Sequence, residues 1–235
     1  QNIRFLKDIG RLDMHVNWTL LIGFPGETEA PYLHYRDRLK WLTHLYPPDA
    51  VGGLTFCRYS PYHMEPEAFG LTLEPKSSYR YIYPPIPASS LAKMAYFFQD
   101  INVEPEYRTH AEKWQPMLNE LVQHWRKRWH GEDGLLLPEL YFMDAHTVFD
   151  SRNGSESTLP LNSVEATLLQ HLEHPISIGK LWSAVGSKAK AESEQALQSL
   201  IEKGLVFHDR MKTMISLVLE EPFARNPDAG AFSFY

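Results

Sequence analysis

The spacing of apolar residues near the amino terminus predicts one helix followed by one strand. Apolar positions recur with a helical period over residues 2–12, and a mainly apolar run over residues 16–22 predicts a strand. A turn that contains glycine and proline ends this strand at residues 23–28. A second helix is expected to start near Pro31, and a second strand follows at residues 51–59. Strand, crossover helix and strand in one sheet predict a parallel pair, which indicates α/β architecture.

The middle of the chain has a less regular pattern. Residues 60–87 are rich in Pro and Tyr and show no steady period, which predicts an ordered loop that covers a scaffold. A helix that begins at Ser89 or Ser90 is expected to carry apolar residues as far as Phe98. We interpret a longer amphipathic helix over residues 105–129 as a connector.

The pattern after this connector predicts a second folded region. Strands at residues 140–150 and 157–161 are joined through Asn153–Gly154, which is a strong hairpin signal. Three helices and a terminal pair of short strands then predict a winged helix-turn-helix-like module, with helices at 163–173, 178–184 and 189–203 and strands at 205–208 and 214–219.

These elements divide the chain into four regions, and composition narrows its class. We assign residues 1–100 to the end of an α/β barrel, 101–134 to the helical connector, 135–221 to the hairpin and winged-helix-like module, and 222–235 to a tail. The hydrophobic content of 43% is that of a globular protein. No stretch has the length or apolar character of a membrane span or a signal peptide, so we expect a cytoplasmic protein.

Charge and cysteine content exclude several kinds of site. The formal net charge of -6 argues against a general nucleic-acid binder, since such proteins need clustered Lys and Arg. Cys57 is the one cysteine, so the chain cannot form an internal disulfide or hold an iron–sulfur cluster by thiolates alone. We expect Cys57 to be an ordinary buried residue, and we expect no metal site in this chain.

The turn after the first strand is the most informative segment. Glycines let the backbone approach a ligand closely, and ligands of parallel α/β folds bind beyond the carboxyl ends of the strands. On physical grounds alone, a plain connecting turn in which Glu27 favours the helix dipole explains the same residues. The residues of this turn are Gly23, Phe24, Pro25, Gly26, Glu27 and Thr28.

A wider set of motifs resembles one enzyme family. The pattern is similar to that of the radical S-adenosylmethionine (SAM) maturases of ribosomally synthesised, post-translationally modified peptides, especially the cobalamin-binding group that includes C-methyltransferases. The resemblance covers roughly residues 1–100 and rests on the segments Asn17–Glu27, His44–Pro48, Arg58–Tyr62 with Pro66, Phe69 and Gly70, and Tyr81–Pro84.

The resemblance implies a barrel fold and three cofactors for the full-length enzyme, namely SAM, a 4Fe-4S cluster and cobalamin. This chain lacks the family's cobalamin domain and its closely spaced cluster cysteines, so we expect it to be a carboxy-terminal fragment that is not catalytically complete. Its expected partners are those missing amino-terminal segments and a precursor peptide, both leader and core. The family chemistry is radical formation from SAM and methyl transfer to the peptide.

Further residues are candidates for binding. The glycine-bearing turn at Gly23–Glu27 is expected to bound the SAM pocket. Polar residues Asn17 and Thr19 alternate with apolar ones and would face a ligand if that side of the strand faces the barrel interior. The Arg58 guanidinium is placed to bind a carboxylate of SAM or of the peptide, with a structural ion pair as the alternative. The expected peptide-binding residues are Tyr59, Ser60 and Tyr62.

The winged-helix-like module leaves alternatives open. Its charge is close to neutral, which disfavours DNA binding. Enzymes of the resembled kind grip the leader peptide by adding a strand to a sheet edge of such a module, whereas a purely structural appendage would have the same pattern. Two other functions therefore remain: a non-catalytic module that recognises leader peptides, and, less favoured, a winged-helix DNA-binding protein.

Overall fold

The computed structural model describes residues 2–10, 12, 14, 16–186, 190–209 and 213–223. The protein is a mixed α/β structure with 45% helix and 19% strand, which confirms the predicted class at this level. The strands of the described residues form four small sheets and no closed barrel. Within the same residues, no helix has both the length and the apolar character needed to cross a bilayer. From residue 224 onward, the predicted tail lies outside the described residues.

The elements follow one another in a mixed order. The helices are α1 (Asn2–Ile9), α2 (Ala30–Arg38), α3 (Pro61–Met64), α4 (Ser78–Ile82), α5 (Ala88–Met94), α6 (Glu106–His130), α7 (Ser163–His171), α8 (Ile178–Val185) and α9 (Lys190–Glu202), with 3-10 turns at Leu39–Leu42 and Pro66–Phe69. The strands are β1 (Thr19–Ile22), β2 (Ala50–Gly53), β3 (Phe56–Cys57), β4 (Leu73–Pro75), β5 (Phe97–Asp100), β6 (Leu140–Asp144), β7 (Thr147–Asp150), β8 (Ser157–Pro160), β9 (Ile176–Ser177), β10 (Val206–His208) and β11 (Thr213–Ser216).

Two compact units divide the chain. One, which we call the corner unit, comprises Trp18–Asp37 and Asp49–Glu120. The other, the meander unit, comprises Gln1–Asn17, Arg38–Pro48 and Leu121–Tyr235, as far as its residues are described. Helix α6 contributes its first turns to the corner unit and the remainder to the meander unit.

A parallel pair of strands lies at the start of the corner unit. Strands β1 and β2 pair in parallel, from Thr19 opposite Ala50 to Ile22 opposite Gly53, as the strand–helix–strand pattern predicted. Strand β1 is shorter than predicted because its ladder with β2 starts only at Thr19. The second predicted strand is interrupted after Gly53, and its continuation β3 pairs with β5 in a different, antiparallel sheet.

The segment that we predicted as a loop contains short regular elements. Ser60 caps α3 by accepting a hydrogen bond from the His63 amide at 3.3 Å, and Pro61 occupies the first turn, where its missing N–H costs nothing. The helix predicted to reach Phe98 ends earlier. Phe98 and Asp100 alternate in β5 with the less buried Phe97 and Gln99, which is the two-residue period of a strand.

An antiparallel meander and three helices make up most of the meander unit. Strands β6, β7 and β8 pair in that order. A second small sheet has the order β10, β11 and β9; β9 lies between α7 and α8 in the chain, and β10 and β11 follow α9. The predicted hairpin through Gly154 joins β7 to β8. Asn162 and Glu165 form a reciprocal capping box at the start of α7, which fixes where that helix begins. Gly204 follows α9 with a positive φ of +66°, and this left-handed residue ends the helix as predicted.

A buried ion pair ties the meander to its surroundings. Arg152 is 6% exposed and lies 2.7 Å from the Asp150 carboxylate, which is 10% exposed. The same guanidinium donates to the backbone oxygens of Trp41 and Gly204, so its charge is neutralised and its donors are satisfied. Burial opposes ionisation of Asp150, but the bonds to Arg152 are stronger in sum and hold the pKa of that carboxyl below its usual range.

Candidate functional site

The backbone turns sharply where β1 ends. Gly23 has φ +79° and Gly26 has φ +81°, a left-handed conformation that residues with a side chain rarely adopt. The Glu27 amide donates to the Phe24 oxygen at 2.9 Å and closes the turn. A Cβ atom added to Gly23 would lie 3.3 Å from the Ala111 Cβ, so a glycine also permits α6 to approach this closely.

The Glu27 carboxylate holds this turn together from within. Its Oε2 accepts hydrogen bonds from the amides of Gly23 at 2.9 Å and Phe24 at 3.1 Å, and from the Tyr32 hydroxyl at 2.9 Å. Tyr32 is fully buried, and burial followed by its bond to Glu27 raises the pKa of its phenol well above the ordinary range. Glu27 therefore shapes the corner through one oxygen, whereas the helix-dipole role requires no such contacts.

A second carboxylate joins the corner to α6. Glu29, at the start of the crossover, accepts hydrogen bonds from the Lys113 ammonium and from the Trp114 indole at 3.0 Å. These two donors lie two and three residues after Ala111 on the same helix. The contacts fix the first turns of α6 beside the carboxyl end of β1.

A cavity of about 480 Å³ opens at this end of the parallel strands. Gly23, directly after β1, and Gly53, the last residue of β2, border the cavity. Leu54, Phe56 and Ala111 add apolar surface. Small-molecule sites usually enclose about 300–1,000 Å³ and are mostly apolar with a few placed polar groups. A Cβ atom added to Gly53 would meet nothing within 4 Å, so the glycine faces open space.

Polar side chains from β5 and α6 form another wall of the cavity. The Asp100 carboxylate is fully buried and accepts bonds from the amides of Thr72 and Asn102 and, at 2.8 Å, from the Tyr107 hydroxyl. Burial, and then this bond, raises the pKa of Tyr107 to about 12, so the phenol stays protonated. Arg108 donates through Nη2 to the Asp100 carbonyl oxygen at 2.6 Å.

Comparison with known proteins gives no independent assignment. No family model matches the chain, and no curated protein or solved structure matches it. The resemblance therefore rests on the sequence motifs alone, and the site is assigned from its own geometry.

The structure brings few of the predicted cofactor residues to the cavity. Gly23 borders it, whereas Phe24, Pro25 and Glu27 are half-buried in the corner itself and Gly26 is exposed beside them. Thr19 is exposed on β1 and does not line the cavity; its methyl group lies beside Gly52 of β2. Asn17 is exposed and precedes the strand.

Arg58 is not among the residues that line the cavity. Its guanidinium donates to the carbonyl oxygens of Ala92 and Ala95, where α5 ends, and it lies 5.3 Å from the Phe98 ring centroid. These contacts stabilise the carboxyl end of a helix, as a cation does there.

The predicted peptide-binding residues are divided between surface and core. Tyr59 is 75% exposed and has a positive φ of 68°, Ser60 caps α3, and Tyr62 packs edge-to-face on Phe56 and Phe69. The neighbouring Cys57, predicted to be buried, is only half-buried because its strand is at the edge of the sheet.

Sequence reasoning missed the polar wall of the cavity. Asp100 was overlooked because β5 was read as the end of a helix, and Arg108 because α6 was interpreted only as a connector. The alternation of Phe98 and Asp100 with Phe97 and Gln99 was the signal that could have located this strand.

A second cavity, of about 290 Å³, lies within the meander unit. Three of the charged side chains that line it pair with each other, since Arg4 lies 2.9 Å from Asp8 and 3.0 Å from Glu173. Among the described residues, no group of three or more His, Cys, Asp or Glu side chains could hold a metal ion in either unit. The cavity at the strand ends is therefore the stronger candidate.

Proposed function

We propose that this chain is the carboxy-terminal part of a radical SAM enzyme that modifies a ribosomally synthesised precursor peptide, with cobalamin-dependent C-methylation as its specific reaction. The observation that carries the proposal is the cavity at the carboxyl ends of the parallel strands β1 and β2, bordered by Gly23 and Gly53. Ligands of parallel α/β sheets bind at this position. The motif resemblance adds the identity of the ligand, SAM.

The incomplete sheet supports this proposal. Within the described residues, β1 and β2 pair only with each other, although parallel sheets usually have more strands and are covered on both faces. Leu21, an apolar residue of β1, is 43% exposed. Further barrel strands, from the segments that the resemblance places before this region, would pair with the free edges and cover such residues.

The residues of the cavity fit a nucleoside-like cofactor. Gly53 leaves room for a ring close to the backbone, and Leu54 and Phe56 offer apolar contacts to it. Radical formation and methyl transfer are the chemistry that the bound cofactors supply, while this chain binds and orients. Cluster ligation does not fit this chain, whose one cysteine, Cys57, contacts the Thr55 oxygen. No described residue is assigned to cobalamin.

Substitution of Gly53 tests the cofactor site without disturbing the fold. A valine at this position is compatible with the end of a strand and would place its methyl groups in the open space of the cavity. We expect Gly53→Val to bind SAM at least about tenfold more weakly, as expected for a clash in a pocket. Calorimetric titration of SAM into the chain measures the change.

Gly179→Ala is the matched control for this variant. Gly179 lies in α8 with nothing within 4 Å of an added Cβ, so the substitution fills no cavity in the corner unit. It should raise helix stability by up to about 1 kcal/mol and leave SAM affinity unchanged. Equal affinities for wild type and Gly53→Val would refute the placement of the cofactor.

Among the described residues, the meander has an unpaired strand edge at β8. Strand β8 lies at the edge of its sheet, and the Leu161 amide donates across to the His146 oxygen at 2.8 Å. By the alternation of an antiparallel ladder, Thr158 then directs its N–H and C=O away from β7. Pro160, two residues on, has no N–H, so Thr158 provides the outward donor of this strand. We infer that an extended leader segment adds here.

The same edge supports the alternative function. A non-catalytic module that recognises leader peptides needs the β8 edge but no cofactor. The two proposals therefore differ in the cavity at the strand ends: the enzyme requires SAM binding there, and the recognition module does not.

A further inference from the structure

Exposed aromatic side chains from two segments of the corner unit lie together where β5 begins. Tyr59 is 75% exposed, Tyr96 51% and Phe97 42%. The Arg58 amide donates to the Tyr96 oxygen at 2.7 Å, which places the neighbouring Tyr59 beside this strand. The Tyr96 and Phe97 rings meet edge to face, with their centroids 5.1 Å apart. We call Tyr59, Tyr96 and Phe97 the aromatic surface.

Half-buried side chains fix the backbone of the aromatic surface. The Tyr79 hydroxyl accepts hydrogen bonds from the amides of Tyr96 at 3.0 Å and Phe97 at 3.2 Å. The Arg58 guanidinium donates to the Ala95 oxygen at 2.6 Å. A contact surface that is held in place before its partner arrives binds more tightly, because less conformational entropy is lost on binding.

Tyr59 has a backbone conformation that its own side chain does not explain. Its φ of +68° lies in the left-handed region, which a residue with a large side chain rarely adopts. Because the ring is exposed, its packing does not offset the cost of this conformation. The Ser60 amide donates to the Cys57 oxygen at 3.1 Å and closes the turn around Tyr59. Residues whose surroundings hold them in such a conformation are concentrated at binding and active sites.

The charge around the aromatic surface is positive, although the corner unit is acidic. The hydrogen bonds of Arg58, Tyr79 and the Lys76 amide join the segments 58–59, 76–83 and 92–97. These segments contain no acidic residue and four basic ones, Arg58, Lys76, Arg80 and Lys93. The rest of the corner unit has twelve acidic and three basic residues. Segregated charge of this kind attracts a partner of the opposite sign.

The contacts of these cations leave most of their charge available. The Arg58 guanidinium donates to neutral carbonyl oxygens, and the Lys76 ammonium lies 5.8 Å from the centroid of an aromatic ring. Lys93 is exposed in the last turn of α5. Arg80 lies 3.8 Å from Glu74, but both side chains are exposed, and such a pair contributes little.

We propose that the aromatic surface binds an acidic segment of the peptide substrate. Carboxylates of the segment lie near the basic residues, and its apolar or aromatic side chains pack on Tyr59, Tyr96 and Phe97. This inference rests on the proposed function only in taking a peptide as the substrate, and it requires no ligand in the cavity at the strand ends. A nucleic acid suits the unit less well, because its acidic remainder repels phosphates.

Binding of labelled model peptides to the full chain tests this surface. One short peptide consists of Glu, Gly and Phe, a second has Gln in place of Glu, and a third has Lys in place of Glu. Fluorescence anisotropy at low and at raised salt concentration measures each affinity. We expect the Glu peptide to bind about tenfold more tightly than the Gln peptide and to weaken as salt is added, and the Lys peptide to bind most weakly.

Two variants locate the site, and two others are matched controls. Tyr96→Ser removes the ring but keeps the backbone hydrogen bonds, and it should weaken binding of the Glu peptide by about tenfold. Lys93→Gln should weaken it by about twofold and reduce its salt dependence. In the meander unit, Phe5→Ser removes a ring that is 56% exposed and Lys127→Gln removes an exposed positive charge, and neither should change the affinity. Thermal unfolding checks that each variant is folded.

Several outcomes would overturn the proposal. They are failure of the Glu peptide to bind the wild-type chain, equal affinities for the Glu and Gln peptides, and equal affinities of Tyr96→Ser and Phe5→Ser for the Glu peptide. A single-stranded oligonucleotide or phosphatidylserine vesicles that bind through Tyr96 more tightly than the Glu peptide would also overturn it, because the surface would then suit another polyanion.

A parallel titration with SAM separates this inference from the proposed function. If the Glu peptide binds through Tyr96 and SAM does not bind, the aromatic surface stands and the cofactor assignment fails. If SAM binds and Gly53→Val weakens it, but the Glu peptide does not bind, the cofactor assignment stands and the aromatic surface fails.

Discussion

Removal of the Glu27 carboxylate should destabilise the corner after β1 by an amount that follows from its contacts. In Glu27→Ala, the Phe24 amide and the buried Tyr32 hydroxyl both lose their acceptor, while the Gly23 amide keeps the Tyr32 oxygen at 3.2 Å. Hydrogen bonds to a charged group contribute about 1.5–3 kcal/mol each. Since Glu27 is half-exposed, water replaces part of this, and we expect a loss of about 2–4 kcal/mol in the free energy of unfolding.

Two companion variants make this prediction specific. Glu27→Gln keeps one carbonyl oxygen as an acceptor without the charge, and neutral hydrogen bonds are about half as strong, so it should lose roughly half as much. Thr28→Ala, at the next and exposed position, should change stability by less than about 0.5 kcal/mol. Urea unfolding followed by circular dichroism gives the three values.

Hydrogen exchange locates the effect within the corner. In Glu27→Ala, the Phe24 amide should lose more protection than the Gly23 amide, because only Gly23 has a second acceptor. Unchanged exchange at Phe24, or a Gln variant as unstable as the Ala variant, would refute the role given to this carboxylate.

Two other predictions concern the meander unit. Burial lowers the pKa of His44 to about 3, so the folded protein keeps the ring neutral while the unfolded chain takes up a proton below about pH 6.5. As the pH is lowered from about 6.5 towards 3, the free energy of unfolding should therefore decrease by up to about 1.4 kcal/mol per pH unit. His44→Gln, which can still donate to the Leu217 oxygen, should show a shallower decrease in urea titrations, and the exposed His171→Gln is the control. Parallel slopes for wild type and His44→Gln would contradict this assignment. Thr158→Pro should weaken binding of the leader peptide about tenfold, whereas Thr158→Ala, which keeps the outward N–H, should not weaken it. Fluorescence anisotropy with a labelled leader peptide measures both affinities. Wild-type affinity in the Pro variant would exclude strand addition at β8.

The sequence predicted elements with a clear period and missed those whose pattern is short or mixed. The parallel pair was predictable because two mainly apolar segments flank a helix whose start the sequence marks near Pro31. The start of α7 is visible in the sequence because Asn162 and Glu165 have the spacing of a capping box. Strand β5 was misread because Phe97 and Phe98, adjacent and both apolar, extend the pattern of the preceding helix, and its two-residue period becomes visible only with Asp100.

The candidate site was predictable only where one segment builds it. The corner at Gly23–Glu27 is local in sequence, so the motif located it, although not the inward-facing role of Glu27. The cavity itself joins Gly53, Lys76, Asp100 and Arg108, which are far apart in the chain. No local pattern links such residues, because pairing of β3, β4 and β5 and the packing of α6 bring them together.

The most direct measurement of the central claim is a titration of the chain with SAM followed by the amide signals of its NMR spectrum. The account predicts saturable shifts at Gly23, Gly53 and Leu54, around the carboxyl ends of β1 and β2, and none at the meander residue Thr158. The absence of shifts up to millimolar SAM, or shifts confined to the meander unit, would contradict it.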